Sequence, residues 1–176
     1  MAAHVKWAIR PAEMGGAEAL PALENSAGTL FRDLPAWAWL ADGEDLPVER
    51  YRELIAGGAS FVAVDKTDQP VAFLSASIEG DALHIWELGV RRDHQRRGIG
   101  RALLDTAIRQ ARRRGLTAVT LTTFREIAWN APFYERLGFE PLADAAIGAR
   151  LAQIMRADAE RGLPAVARCA MRLRLG

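Results

Sequence analysis

The sequence predicts a single α/β domain, built from both helices and strands. Segments with strand character and segments with helical spacing follow one another along all 176 residues. A chain of this length can bury one substantial core and is short for two. Half of the residues are hydrophobic and about a quarter are charged, as is usual for a globular protein. We therefore expect one domain over residues 1–176.

The first part of the chain is predicted to run from strand to helix to loop. Residues 5–10 alternate as a strand does and stop at Pro11, and residues 12–25 have a helical composition. Glycines and prolines break residues 24–47 into a loop with a short helix. Three aromatic residues of this loop either line a substrate entrance or pack in the core or an interface: Phe31, Trp37 and Trp39.

The middle of the chain predicts a helix followed by three strands. Residues 48–56 form a helix that ends at two glycines, Gly57 and Gly58, since glycine readily takes the left-handed conformation. Residues 60–66 and 70–80 form a hairpin, because turn residues separate two β-rich runs. Residues 81–90 show little polar alternation, which is typical of a strand buried on both faces.

The C-terminal half is predicted to contain three helices and three strands. Apolar residues recur at helical spacing over residues 98–114 on a helix whose other face is basic, and Gly115 ends it. The short helix has Pro132 in its first turn and Gly138 after its end. The remaining segments are strand 116–124, short helix 131–137, a strand beginning at residue 139, helix 146–161 and strand 167–175.

Charge and cysteine content exclude several classes of protein. The 23 Lys and Arg residues nearly balance 22 Asp and Glu residues, so general nucleic-acid affinity is not expected. The single Cys169 excludes an internal disulfide, and its strand-like setting predicts a buried structural thiol.

No apolar run approaches the roughly 20 residues of a membrane span, and the N-terminus lacks the apolar core of a signal peptide. We expect a cytoplasmic protein without a membrane partner.

Residues 90–104 gather arginines around two glycines immediately before the basic helix. Gln95, Gly98 and Gly100 form the pattern Q-x-x-G-x-G between a predicted strand and a predicted helix. A helix N-terminus presents unpaired N–H groups with a partial positive charge, and glycine lets an anion approach them. Three arginines add full charges: Arg96, Arg97 and Arg101. The combination suits a pyrophosphate, with a solvated basic helix start as the alternative.

Two common nucleotide-binding motifs are absent from this stretch. A dinucleotide fingerprint requires G-x-G-x-x-G with an acidic residue about twenty positions later, and a Walker loop requires G-x-x-x-x-G-K-[ST]. Neither pattern occurs in the sequence, and Gly100 is followed by arginine rather than by lysine and a hydroxyl residue.

Two stretches resemble the acetyl-CoA-binding core of the GNAT superfamily of N-acetyltransferases: ELGVRRDHQRRGIGRALLDTAIRQARRRG and NAPFYERLGF. The resemblance covers about residues 82–142. It implies an α/β fold, classed as α+β in some schemes, whose central sheet is mostly antiparallel and whose central strands splay at a bulge. It also implies acetyl-CoA as cosubstrate, no metal, and an amine of a small molecule or protein as acceptor. A homodimer stays open.

The same resemblance assigns the cofactor contacts. The turn implied to bind the CoA pyrophosphate through backbone amides comprises Gln95, Arg96, Arg97, Gly98, Ile99, Gly100 and Arg101. The strand residues implied to contact pantetheine at the bulge are Leu88, Gly89 and Val90. Asn130 matches a position that touches the cofactor, although an Asn before a helix also serves as a cap. Phe133 packs against either the cofactor arm or the core.

Three side chains are candidates for the proton transfers of acetylation. A lysine-like amine has a pKa of about 10.4, so some group must remove its proton at neutral pH. Glu87 is the first candidate base, because a carboxylate on an apolar strand is costly without a role, and His84 is the second. A structural ion pair is the alternative for Glu87. Tyr134 matches the family position that often serves the departing thiolate, with core packing as its alternative.

The leading interpretation is an enzyme that transfers acetyl from acetyl-CoA to a primary amine by direct attack in a ternary complex. An acyl-CoA-binding sensor with little catalysis is the second interpretation, because the motif predicts binding better than turnover. The acceptor itself is not specified; its choice is expected to depend on residues 24–39 and on helix 146–161. Glu24 could attract a cationic amine, but a solvated helix carboxylate is the expected interpretation.

Overall fold

The computed structural model describes residues 7–43 and 45–176 of the chain. Within this part, seven strands and five α-helices are present, together with short 3₁₀ segments. The strands are β1 (Trp7–Pro11), β2 (Phe61–Asp65), β3 (Pro70–Glu79), β4 (Ala82–Val90), β5 (Ala118–Phe124), β6 (Glu140–Pro141) and β7 (Arg168–Arg174). The helices are α1 (Leu20–Gly28), α2 (Val48–Ala56), α3 (Ile99–Arg113), α4 (Ala131–Glu135) and α5 (Ala149–Glu160).

The strands form one sheet in the order β1-β2-β3-β4-β5-β7-β6. The β1–β2, β2–β3, β5–β7 and β6–β7 pairs are antiparallel, whereas β4 and β5 are parallel. This mixed, mostly antiparallel sheet flanked by helices confirms the predicted fold class. The parallel ladder joins Ala82, Leu83 and His84 to β5 and ends there, although β4 itself continues to Val90.

The chain divides into two compact units. The first unit consists of Met1–Ile78 and Ile85–Gln110, and the second of Glu79–His84 and Ala111–Gly176. The core of the first unit buries residues of α1, α2, β2 and β3, including Leu20, Leu23, Tyr51, Val62 and Phe73. In the second unit, β5 and β7 bury Val119, Leu121 and Met171. The prediction of one domain over the whole chain stays a prediction.

Local sequence signals explain where the predicted helices end. α2 buries Tyr51, Leu54 and Ile55 on one side, and Gly58 follows it with a φ of 68°. Gly115 follows α3 with the same φ. An L-residue at such a φ is strained, so glycine is the favoured residue at both helix ends.

Several predicted boundaries differ from the structure. The helix predicted for residues 12–25 is a 3₁₀ segment, Met14–Ala19, followed by α1. The predicted loop contains two further 3₁₀ segments, Thr29–Asp33 and Pro35–Asp42. The C-terminal helix begins at Ala149 rather than at residue 146. The predicted first strand includes residues 5 and 6, which lie outside the described part of the chain.

In residues 7–43 and 45–176, every helix is too short or too polar to cross a bilayer.

Candidate active site

The C-terminal part of β4 changes the face to which its side chains point. The Trp86 Nε1–H donates a hydrogen bond of 2.8 Å to the hydroxyl of Ser77, while a Cβ on Gly89 would lie 2.6 Å from Cε1 of Phe73. Ser77 and Phe73 are four residues apart and share a face of β3, but Trp86 and Gly89 are three apart. A regular strand cannot direct both toward one face. β4 therefore departs from regular strand geometry between Trp86 and Gly89, and a bulge at Leu88, Gly89 and Val90 stays a prediction of the family resemblance.

The turn after β4 is held by its own side chains. The Gln95 amide donates to the carbonyl oxygen of Val90 at 3.0 Å, and Arg97 Nη2 donates to the carbonyl of Asp93 at 2.9 Å. Arg91 binds the Asp93 carboxylate through two nitrogens, at 2.7 and 3.1 Å. Hydrogen bonding from Arg91 lowers the pKa of Asp93, so this carboxylate stays ionised. The predicted binding turn is therefore fixed in shape before any ligand arrives.

Positive φ angles at the turn expose backbone N–H groups at the start of α3. Arg96 has a φ of 58° and Gly98 a φ of 78°. The first bond of the helix joins the Ala102 N–H to the Gly98 carbonyl at 3.0 Å. The N–H groups of residues 98–101 therefore have no acceptor within the helix, which is the arrangement that attracts anions.

The space above this turn fits a phosphate group. An added Cβ on Gly98 would meet no atom within 4 Å, and one on Gly100 would meet only Val90 Cγ2, at 3.6 Å. Arg96, Arg97 and Arg101 are all exposed around the turn. Protein atoms therefore leave the backbone open, while the residue types supply positive charge. The turn has the donors, the charge and the room that a pyrophosphate requires.

Glu87 lies on β4 in a part of the first unit that contains other carboxylates. The Glu87 side chain is half-buried. Burial is the main cause of the raised pKa of Tyr51, and the charges of Glu24, Glu87 and Asp45 raise this pKa further. Tyr51 donates its hydroxyl hydrogen to Glu24, and the Leu46 N–H donates to the same carboxylate oxygen at 3.0 Å. Burial raises the pKa of Glu24. The expectation of a solvated Glu24 is thus wrong, because its carboxylate is partly buried and accepts two hydrogen bonds. The two donors lie 22 and 27 residues away along the chain, so the sequence did not indicate them.

His84 is a neutral, buried residue of the second unit. It is 1% exposed, and its Nδ1 lies 2.9 Å from Thr120 Oγ1, which accepts a bond of 3.2 Å from Arg150 Nη2. Burial, followed by the charge of Arg150, lowers the pKa of His84 to about 3. The Thr120 hydroxyl then donates to Nδ1. A histidine that binds a proton so weakly is a poor acceptor for the proton of an amine.

Helix α4 carries the remaining predicted residues, also in the second unit. Asn130 precedes the helix, but its side chain forms no capping hydrogen bond, and its buried Oδ1 has no partner among the described residues. Tyr134 is 8% exposed, and its ring packs edge-on against Phe133 at 5.2 Å and Phe139 at 5.6 Å. Asn130 is therefore not explained as a side-chain cap, and Tyr134 contributes to packing whatever else it does.

The structure also shows the setting of the single cysteine and of the potential metal ligands among the described residues. Cys169 is buried, and burial raises the pKa of its thiol, as expected of a structural cysteine. Among residues 7–43 and 45–176, no group of three or more His, Cys, Asp or Glu side chains could hold a metal ion.

Sequence reasoning missed the partners that act over long separations. Sequence analysis placed Tyr51 only in a helix, yet its hydroxyl donates a hydrogen bond to Glu24 and the charge of Glu87 raises its pKa. Arg150 was assigned only to a variable helix, yet it binds Thr120 and acts on His84. An arginine in the first turn of α5 was the available signal for the latter, because a cation there opposes the helix dipole and needs a local reason.

Comparison with known families and structures adds an independent observation. A family model described as "Acetyltransferase (GNAT) family" matches residues 26–139 of the chain. That range contains the turn, β4, α3 and α4.

Three solved structures illustrate the likeness in fold. The PaiA N-acetyltransferase of Thermoplasma acidophilum, in complex with coenzyme A, has a TM-score of 0.71 at 13% identity and covers 96% of this chain and 99% of its own. The ribosomal-protein-S18-alanine N-acetyltransferase from Escherichia coli has a TM-score of 0.68 at 18% identity, with coverages of 97% and 94%. Rv2747 from Mycobacterium tuberculosis, solved with CoA, has a TM-score of 0.67 at 20% identity, with coverages of 96% and 99%. At these identities the likeness shows the fold.

Proposed function

Because the chain belongs to the GNAT family of acetyltransferases, we propose that it transfers an acetyl group from acetyl-CoA to a primary amine by direct attack in a ternary complex. The observation that carries the proposal is the turn before α3. Its positive φ angles at Arg96 and Gly98 leave helix N–H groups open toward a site ringed by arginine. The further residues proposed to bind the cofactor are, in the first unit, Leu88, Gly89, Val90, Gln95, Arg97, Ile99, Gly100 and Arg101 and, in the second unit, Asn130 and Phe133.

The chain's own residues then have distinct tasks. The backbone amides from Arg96 to Arg101 bind the pyrophosphate, and the irregular segment of β4 supplies backbone groups for the pantetheine arm. The unsatisfied Oδ1 of Asn130 is available to accept a hydrogen bond from the cofactor. Acetyl-CoA supplies the acetyl group as a thioester, whose leaving thiol has an ordinary pKa of about 8.5.

Proton transfer is assigned to Glu87 and Tyr134. Bringing an amine of pKa about 10.4 to its neutral form at pH 7 costs about 4–5 kcal/mol. Glu87 takes this proton through water, and the neutral nitrogen forms the new C–N bond as the C–S bond breaks. The Tyr134 hydroxyl donates a proton or a hydrogen bond to the departing thiolate. Glu87 is preferred to His84, because Glu87 is only half-buried, whereas His84 is 1% exposed and its Nδ1 is already hydrogen-bonded to Thr120.

An amine panel tests the proposal through release of free CoA thiol. Lysine, agmatine, spermidine and alanine-initiated peptides are each incubated with acetyl-CoA, and thiol is measured with a chromogenic disulfide. We expect at least one amine to accelerate thiol release and to yield an N-acetylated product by mass spectrometry. Tight acetyl-CoA binding without acceleration by any amine would instead favour the acyl-CoA-binding sensor.

A further inference from the structure

One face of the sheet in the second unit is polar and rich in arginine. Residues that are register partners in neighbouring strands point to the same face. Thr120 is the partner of His84 on β4 and of Arg172 on β7, and Phe124 is the partner of Arg168. The guanidinium of Arg168 lies over the Phe124 ring, 4.8 Å from its centre. All of these residues belong to the second unit.

Helix α5 adds an arginine and an aspartate to the polar face. Arg150 Nη2 donates to Thr120 at 3.2 Å, and Arg168 Nη2 donates to Thr122 at 3.3 Å. Asp158 is only 3% exposed. Arg161 binds its Oδ1 at 2.7 Å, and Arg168 binds its Oδ2 at 2.9 Å. Both oxygens of the Asp158 carboxylate are therefore occupied, one by Arg161 and one by Arg168.

Two guanidinium donors on the face remain unsatisfied. Arg150 Nη1 and Arg168 Nε are buried, and neither has a hydrogen-bond partner among the described residues. A buried donor without an acceptor costs about 1–3 kcal/mol, and a charged one costs more. The positive charge of Arg150 also helps to lower the pKa of the neighbouring His84. Thr120 and Thr122 are neutral, and the opposing charge of Asp158 changes the pKa of His84 less than that of Arg150 does.

We propose that the polar face is a carboxylate-binding site, in which Arg150 and Arg168 direct their unsatisfied N–H groups at a small carboxylate. Thr120 and Asp158 are positioning residues, because each holds one of the two guanidinium groups in place. Arginine suits this role, since its planar fork matches a carboxylate. The ligand is a compound with a free carboxylate, either the acceptor amine itself or a separate effector. The site does not depend on the proposed acetyl transfer.

Butyrate and butylamine are the matched probes for this site, because they differ only in the charged group. Binding of each is measured by calorimetry at constant ionic strength, with chloride as the competing anion. Butyrate is expected to bind the wild-type protein, and Arg150→Gln is expected to weaken its binding at least tenfold. Arg156→Gln is the control, because Arg156 is an exposed arginine of the same helix. Equal losses in both variants, or butyrate binding no tighter than chloride, would overturn the proposal.

A measurement on the wild-type protein covers the case in which Arg150→Gln fails to fold. The imidazole nitrogen resonances of His84 are followed during titration with butyrate and, separately, with butylamine. A carboxylate beside Arg150 offsets its charge, so butyrate should shift these resonances and butylamine should not. Unchanged His84 resonances at saturating butyrate would contradict a site at Arg150.

Acetyl transfer to 4-aminobutyrate and to butylamine identifies the source of the carboxylate. If the acceptor carries it, Arg150→Gln should lower kcat/KM at least tenfold for 4-aminobutyrate and leave butylamine unchanged. If both amines are unaffected while butyrate binding is lost, the carboxylate belongs to a separate effector. Absence of transfer to every amine would contradict the proposed function and leave the butyrate measurements intact.

Discussion

Replacing Gly89 with alanine is expected to destabilise the protein through a defined steric overlap. An ideal Cβ at this position would lie 2.6 Å from Cε1 of Phe73, whereas carbon atoms in contact are about 3.5–4.0 Å apart. Phe73 is 1% exposed, and its ring packs edge-on against Tyr51 at 5.6 Å. The ring therefore cannot move without disturbing the core of the first unit.

The size of the effect follows from two opposing contributions. Overpacking a well-packed core costs about 1–3 kcal/mol. Losing the extra freedom of glycine in the unfolded chain returns about 0.4–1 kcal/mol. The free energy of unfolding should therefore fall by about 1–2 kcal/mol in Gly89→Ala.

Equilibrium urea unfolding of a double-mutant cycle tests this reasoning. In a Phe73→Leu background, Gly89→Ala should cost much less, since the atom it contacts is gone. Gly100→Ala is the control, because its Cβ would lie 3.6 Å from Val90 in ordinary contact, and it should be neutral or stabilising by up to about 1 kcal/mol. A wild-type urea midpoint for Gly89→Ala, or additive costs in the double mutant, would refute the overlap.

Three other predictions concern catalysis and buried polar groups. Glu87→Gln and Tyr134→Phe should each lower turnover with a confirmed amine roughly 100- to 10,000-fold at unchanged acetyl-CoA affinity; normal turnover in both would remove these roles. Between pH 6.5 and about 3, the unfolded chain protonates His84 and the folded chain does not. The free energy of unfolding should thus fall with falling pH, by at most about 1.4 kcal/mol per pH unit. The fall should be less steep in His84→Gln, and equal slopes in the wild-type protein and this variant would contradict the prediction. Tyr51→Phe removes a donor from the half-buried Glu24 and should cost about 1–3 kcal/mol in urea unfolding; an unchanged midpoint would contradict it.

The elements that sequence reasoning located well are those fixed by neighbouring residues. α2 occupies the predicted residues, because its apolar spacing and the following glycines act within one short segment. The hairpin of β2 and β3 was also predicted, and its turn is held locally by Asp65, which accepts hydrogen bonds from Thr67 and Gln69. The turn before α3 was also located from the sequence, since its glycines, its arginines and the start of the helix lie in one contiguous stretch.

The features that the sequence did not disclose depend on partners far along the chain. Thr120 and Arg150 are 30 residues apart, and His84 and Thr120 are 36 apart. Composition and periodicity carry no record of such pairs, so the polar face of the second unit could not be anticipated. The close approach of Phe73 to Gly89 is likewise a contact between neighbouring strands that only the packed sheet discloses.

Calorimetric titration of acetyl-CoA into the wild-type protein and Gly100→Leu tests the central claim most directly. The claim is that the backbone at the start of α3 binds the cosubstrate's pyrophosphate. A leucine side chain at residue 100 would occupy the space that the phosphate needs, while its Cβ makes only ordinary contact with Val90. We predict at least a tenfold loss of affinity without a lower urea midpoint. Equal affinity in the folded variant would contradict the account.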